Sequence, residues 1–323
     1  MSQQVDEANY LLKRGEFEKS KLIFSNLLDI DPENPDLITG FFISSYWDNR
    51  IEKILSTPEG KERGLLLNHL FDEFEREYLR RKYHPLSGSF DSAMLCILEE
   101  SCQQLKLGFQ KLGPQSFEKD KYLLLAKNLL RTKEYKNCIE ILEYSKKFYD
   151  TPPDYYFYKA ECYYHLGEEK KSRILFRSAL LYYSEKIPIH LIRSEPLFTA
   201  WTYLNENYTE EEALYYLPVY CLEKNLLPEM LEYSKEEIRD LWVDIQKFQD
   251  GIGDTDEATR MRIKYNIIHY GITILDSFHG QINQELSRRV VELIKTFDQG
   301  ILERRKMNQK KEIENEFNDQ DFG

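Results

Sequence analysis

Glycine and proline are scarce in this chain, 14 and 11 of 323 residues, which fits an all-helical protein rather than a loop-rich one. Cysteine is equally sparse. The five present (Cys96, Cys102, Cys138, Cys162, Cys221) form no CxxC pair and no metal-ligand spacing, which excludes a disulfide framework or a zinc site. They read as small core residues in a reducing compartment, and a cytoplasmic location is expected. No run of 18 apolar residues is present, and no basic segment followed by an apolar one opens the chain, so neither membrane insertion nor a secretory leader is expected. Positive charge is also in deficit. A net charge of −12 works against non-specific nucleic-acid binding, which depends on phosphate neutralisation. No phosphate loop, HExxH, nucleophile elbow or dinucleotide fingerprint occurs, so no enzyme, cofactor or bound metal is expected.

The chain does have apolar residues enough for a core (41%) and many aromatics, led by 23 Tyr. It also has an internal repeat. Between about Lys119 and Tyr183, size classes recur at an interval of 34 residues: Ala126 with Ala160, Leu129 with Tyr163, Leu130 with Tyr164, Cys138 with Ser172, Leu142 with Phe176, Ser145 with Ala179. Such a period marks stacked helical hairpins. Small residues at Ala160 and Ser172 let two helices approach, Phe176 fills the space beside them, and Gly167 suits a left-handed helix end. A third copy near the N-terminus places Ala8, Leu11, Gly15, Phe17, Ser20, Phe24, Leu27 and Pro32 at the same offsets.

On these residues the three units resemble tetratricopeptide (TPR) repeats, over about a third of the chain. They depart from the pattern at Gln4, where a bulky aromatic is expected, at Leu27, and at the exit, where only Pro32 is a proline. The fold expected is an all-α, TPR-type helical-hairpin solenoid with a long-helix insertion and a C-terminal helical region.

Taken in order, residues 1–35 form the N-terminal unit, with Asp36 available to cap the next helix. Residues 36–116 are atypical: the 118 residues from Ala8 to Ala126 are not a multiple of 34, so an insertion breaks the register. Ser56-Thr57-Pro58-Glu59 predicts the start of a helix running to Lys82, and Phe90 to Lys111 predicts its antiparallel partner, packed between the repeats. Residues 117–186 hold the two 34-residue units. In 187–311, the expected helices are Ser194–Leu204, Thr209–Lys224 with a Thr209/Glu212 capping box, Ser234–Gln249, Asp254–Phe278 and Gln281–Arg305. Pro218 should kink or split the second of these. The basic stretch Arg304, Arg305, Lys306, Lys310, Lys311 reads as a helix end, and 312–323 as an acidic, disordered tail.

Two constellations could carry chemistry. Asp250-Gly251-Ile252-Gly253-Asp254 lacks the alternating oxygens and final glutamate of a calcium loop and reads as a turn. His269, Asp276 and His279 fall near one helical stripe, but a metal or acid–base site there needs ligands from elsewhere.

TPR arrays hold extended or helical peptides in a groove lined by the first helix of each unit. Carried onto this sequence, the resemblance implies Val5, Asn9, Leu12 and Lys13, then Leu123, Lys127, Leu130 and Arg131, then Phe157, Glu161, Tyr164 and His165. The apolar members also fit packing against neighbouring helices. Of the lysines and asparagine that bind chaperone carboxylate tails, only Asn9 has a counterpart, since Val5 and Phe157 stand where lysines belong; chaperone-tail binding is disfavoured. The function expected is a non-catalytic adaptor or assembly scaffold for another protein or peptide, with Arg131 and Tyr164 at the contact. A peptide- or ligand-sensing regulator with a pocket in the C-terminal bundle is the alternative, and a helical-bundle enzyme a third.

Overall fold

The computed structural model describes residues 2–83, 87–113, 117–183, 188–228, 232–253, 255–277 and 284–320, with side chains except at 182–183 and 311–320. Every regular element among them is helical, with no strand. No described helix is long and apolar enough to cross a membrane. The chain divides into two compact units, Met1–Tyr149 and Asp150–Gly323.

The first unit contains α1 (Ser2–Lys13), α2 (Phe17–Leu28), α3 (Pro35–Asp48), the short α4 (Ile51–Ser56), α5 (Lys61–Arg80), α6 (Gly88–Leu112), α7 (Lys119–Arg131) and α8 (Tyr135–Ser145). The second contains α9 (Pro153–His165), α10 (Glu169–Tyr183), α11 (Leu197–Asn207), α12 (Glu210–Glu223), α13 (Lys235–Asp250), α14 (Glu257–Asp276), α15 (Gln284–Phe297) and α16 (Ile301–Gln320). The division falls between the two 34-residue units, placing α7–α8 in the first and α9–α10 in the second.

Three hairpins, α1–α2, α7–α8 and α9–α10, are closed by the same turn. Gly15, Lys133 and Gly167 sit at the left-handed position with φ of 75°, 64° and 77°. The next residue is glutamate in all three, and its N–H reaches back five residues: Glu16 to Leu11, Glu134 to Leu129, Glu168 to Tyr163, at 2.8–3.0 Å. This is the bond that satisfies the last carbonyls of a helix. Each glutamate carbonyl then accepts from Ser20, Cys138 or Ser172, starting the second helix. Those small residues are buried, as are Ala8, Ala126 and Ala160 on the first helices of the same hairpins. Ser20 Oγ donates to Ala8 O at 2.9 Å, and Cys138 Sγ to Ala126 O at 3.2 Å. Hydroxyl and thiol thus make the same bond to the facing helix.

In the long hairpin of α5 and α6, α6 packs on α1 and α3 and also on α7. The hairpin's start differs from expectation. Thr57 is extended, and α5 begins only after Gly60, whose φ of 108° no other residue adopts without strain. The Gly60 N–H donates to Gln104 Oε1 at 2.7 Å, tying the start of α5 to α6. A Cβ on Gly108 would lie 2.5 Å from Lys61 N, so the two backbones meet there. At α3 the cap is Asn34 rather than Asp36: its Oδ1 accepts from the Asp36 and Leu37 N–H groups, with Pro35 in the first turn.

Aromatic rings dominate the core of the first unit. Trp47, Phe71 and Phe74 are fully buried, within 5.3–6.4 Å of one another, centroid to centroid. Each such phenylalanine contributes roughly 1.5–3 kcal/mol of burial.

In the second unit α14 is central, packing on α12, α13 and α15 through Ile263, Ile267, Ile268, Ile272 and Ile274. The capping box of Thr209 and Glu212 forms as expected, and a second joins Ser234 to Glu237. The helix α12 runs unbroken through the buried Pro218. A proline removes one N–H, and the remaining backbone bonds carry the helix across. The start of α14 is capped by Asp256, whose Oδ1 accepts from Thr259 N at 2.8 Å; Asp254 lies outside the described residues. The expected helix over 281–305 is two helices, α15 and α16. They separate at Asp298, whose Oδ1 accepts from Gly300 N at 3.0 Å in a side-chain turn. The acidic stretch expected to be disordered continues α16 as helix to Gln320.

Candidate functional site

The residues implied by the repeat pattern divide sharply by burial. On α1, Val5 joins the core, Leu12 is fully buried, and half-buried Asn9 accepts a hydrogen bond from Ser89 of α6 (2.6 Å); only Lys13 is exposed. The inner face of α1 is thus covered by α6, a contact that a local repeat pattern does not reveal. On α7, Leu123 and Lys127 are half-buried and Leu130 is buried. Arg131 is tied down: Nη2 and Nη1 donate to the two Glu75 oxygens at 2.8 and 3.4 Å, and the guanidinium stands 4.9 Å from the Phe71 ring centre. Beside it the buried Asn128 amide donates to Asn68 Oδ1 (2.9 Å) and Ser101 Oγ (3.3 Å), joining α7 to α5 and α6.

On α9, Phe157 is fully buried against Phe176, with centroids 5.7 Å apart. Glu161 is also buried. Its carboxylate accepts from Ser194 Oγ at 2.7 Å and from the Arg193 and Ser194 N–H groups at 3.3–3.4 Å. Burial raises its pKa above the ordinary carboxylate value, and these hydrogen bonds partly oppose the rise. Phe157, Glu161 and Leu130 therefore act as packing and positioning residues; Tyr164 is half-buried and His165 exposed at the end of α9. The stripe on α14 also resolves into structure. His269 is buried and driven to a pKa of about 3, by burial first and by the Arg177 charge second. Asp276 is held bidentately by Arg305 (2.7 Å each) and also by Arg177. His279 lies outside the described residues. Arg304 pairs with Glu223 at 2.9 Å and Asp298 at 2.7 Å, so this part of the basic stretch fastens α16 to α12. Among the described residues no three metal-ligating side chains converge.

The open groove of the first unit lies elsewhere, between α3 and α5, and encloses about 580 Å³. Its lining is Phe42, Tyr46 and Arg50 on α3 and just beyond its end, and Glu73, Arg76, Glu77, Arg80 and Arg81 on α5 and its cap. On α3 these positions recur every four residues, one face of the helix. Bulky rings hold the two helices apart and form the floor: Phe42, Tyr46 and Phe74 lie 5.1–6.3 Å from one another. Arg50 lies over the Tyr46 ring at 3.4 Å and donates to Tyr46 O at 2.8 Å. Arg81 lies over Phe42 at 4.5 Å. Glu77 accepts from Arg80 Nη2 (2.6 Å) and Arg81 Nε (2.8 Å), and these two donors hold its pKa below the usual carboxylate value. Glu73 pairs with His69 at 3.4 Å. Among the described residues Arg50 and Arg76 have no carboxylate partner; Arg76 Nε reaches only Asp72 O, at 3.2 Å.

Four guanidinium groups against two carboxylates make this groove positive on a chain of net charge −12. Sequence reasoning missed it. The available signal was Arg76, Arg80 and Arg81 recurring on one face beside Glu73 and Glu77, inside a segment set aside as an insertion. No protein-family model, curated protein or solved structure matches the chain.

Proposed function

We propose that the protein is a non-catalytic adaptor or assembly scaffold, built on tetratricopeptide-type hairpins, that holds a segment of another protein. The observation carrying this reading is the α3–α5 groove: a ring-floored, arginine-walled recess of about 580 Å³ on a tightly packed helical unit. That size lies within the roughly 300–1,000 Å³ of common binding pockets. Arginine, which supplies four of its eight lining residues, is among the side chains that most often anchor protein interfaces. The hairpin reading draws support from the shared turn at Gly15, Lys133 and Gly167 and the shared burial of Ala8, Ala126 and Ala160.

The test is capture from native lysate with chemical cross-linking and mass spectrometry, the folded chain beside a heat-unfolded control. A partner recovered in near-stoichiometric amount with the folded chain alone is the expected result. Recovery of nothing beyond the control background would end the adaptor reading.

A further inference from the structure

We infer that the α3–α5 groove binds an acidic segment of a partner protein, with carboxylates spaced between apolar side chains. The inference rests on the adaptor reading and supplies its partner chemistry. Arg50 is held over the Tyr46 ring by its bond to Tyr46 O, and its remaining N–H groups are left to form hydrogen bonds to a carboxylate. Arg50 and Arg76 bring positive charge that no described carboxylate neutralises. An incoming anion therefore finds donors already in place, and little side-chain freedom is lost on binding.

Charge alone would admit nucleic acid or polyphosphate, but the groove argues for sparser charge. Glu73 and Glu77 sit among the arginines and repel a continuous phosphate chain, while the half-buried Phe42 offers apolar surface that phosphates cannot use. A chain of net charge −12 adds long-range repulsion of a polyanion. Carboxylates alternating with apolar groups match both halves of the lining. Glu73 to Arg81 spans about 12 Å of helix, which accommodates about four residues of an extended peptide.

The experiment is fluorescence anisotropy on the full-length chain with short labelled peptides that alternate glutamate with leucine and phenylalanine. Controls carry glutamine for glutamate, or phosphoserine for glutamate, and a labelled oligothymidylate is the polyphosphate probe. Saturable binding of the glutamate peptide is expected, weakened about tenfold by Arg76→Glu and again by Arg50→Gln. Arg76 is exposed and bonds only to backbone, so its reversal leaves the fold intact, with circular dichroism as the check. Equal binding of the glutamine peptide, or unchanged affinity of the Arg76→Glu chain, would overturn the inference. So would preference for the phosphoserine peptide or the oligonucleotide. Self-association in sedimentation that Arg76→Glu abolishes would make a second copy the occupant and likewise overturn it. If Arg76→Glu still captures the wild-type partner from lysate, the groove assignment fails while the adaptor reading survives.

Discussion

Arg131 grips Glu75 with both terminal nitrogens, at 2.8 and 3.4 Å, across 56 residues of sequence. Their side chains are 11% and 30% exposed, so the pair is neither a solvated surface bridge nor a fully buried one. Loss of Arg131 leaves the half-buried Glu75 carboxylate without this partner and removes the guanidinium from the Phe71 ring. Arg131→Ala is therefore expected to lower unfolding free energy by about 1–3 kcal/mol in urea titration. A double-mutant cycle with Glu75→Gln should give coupling above about 0.5 kcal/mol; additive losses would show that the pair is only a contact.

Lys133 occupies a backbone conformation that its hairpin counterparts, Gly15 and Gly167, adopt without a side chain. An L-residue pays about 1–2 kcal/mol there. The greater freedom of glycine in the unfolded chain takes back part of that. Lys133→Gly should stabilise the chain by about 0.5–1 kcal/mol, read as a higher melting temperature. Gly167→Ala should shift it the other way. No shift in either variant would mean that the turn relaxes at little cost.

Gly108 faces the backbone of Lys61 so closely that a methyl group would sit 2.5 Å from its nitrogen. Backbone cannot swing aside as a side chain can. Gly108→Ala is expected to cost about 2–3 kcal/mol, with a matching loss at Gly60, whose N–H bond to Gln104 depends on the same crossing. Faster amide exchange at Gly60 in the variant would report that loss directly.

What could be read from sequence was what is local. The capping box at Thr209 and Glu212, the small residues Ala126 and Ala160, and the turns at Gly15 and Gly167 each depend on residues within one hairpin, so their spacing declares them. Lys133 shows the limit, since it takes the glycine conformation without glycine's signature. Contacts closed over long sequence distances left no local trace. Arg131 looked free until α5 supplied Glu75, and Asn9 until α6 supplied Ser89. The groove needed Arg50 from the end of α3 and Arg76 from α5, which only ring packing between them brings to one mouth. Helix ends set by side-chain turns were decided by a few local hydrogen bonds, two N–H groups to Asn34 and one to Asp298.

His269 gives the chain a pH dependence whose sign can be worked out. Its imidazole is buried on α14 near the Arg177 guanidinium, which is itself paired with Asp276, and both burial and that positive charge disfavour protonation. The folded-state pKa falls to about 3, against 6.5 for an exposed histidine. Above 6.5 neither state binds the proton, and the group leaves stability unchanged. Between 6.5 and 3 the unfolded chain takes up a proton that the folded chain refuses, so stability is lost as pH falls. The slope approaches about 1.4 kcal/mol per pH unit once the unfolded histidine is fully protonated. Glu161 tilts the other way over part of this range: its raised folded pKa favours the native state as pH falls toward 4.5, so it masks some of the loss. Urea titrations from pH 7 to pH 5 should show wild-type stability declining while His269→Leu, which keeps Glu161, declines less steeply. Parallel profiles for the two chains would mean that the imidazole is already charged, or hydrated, in the folded state.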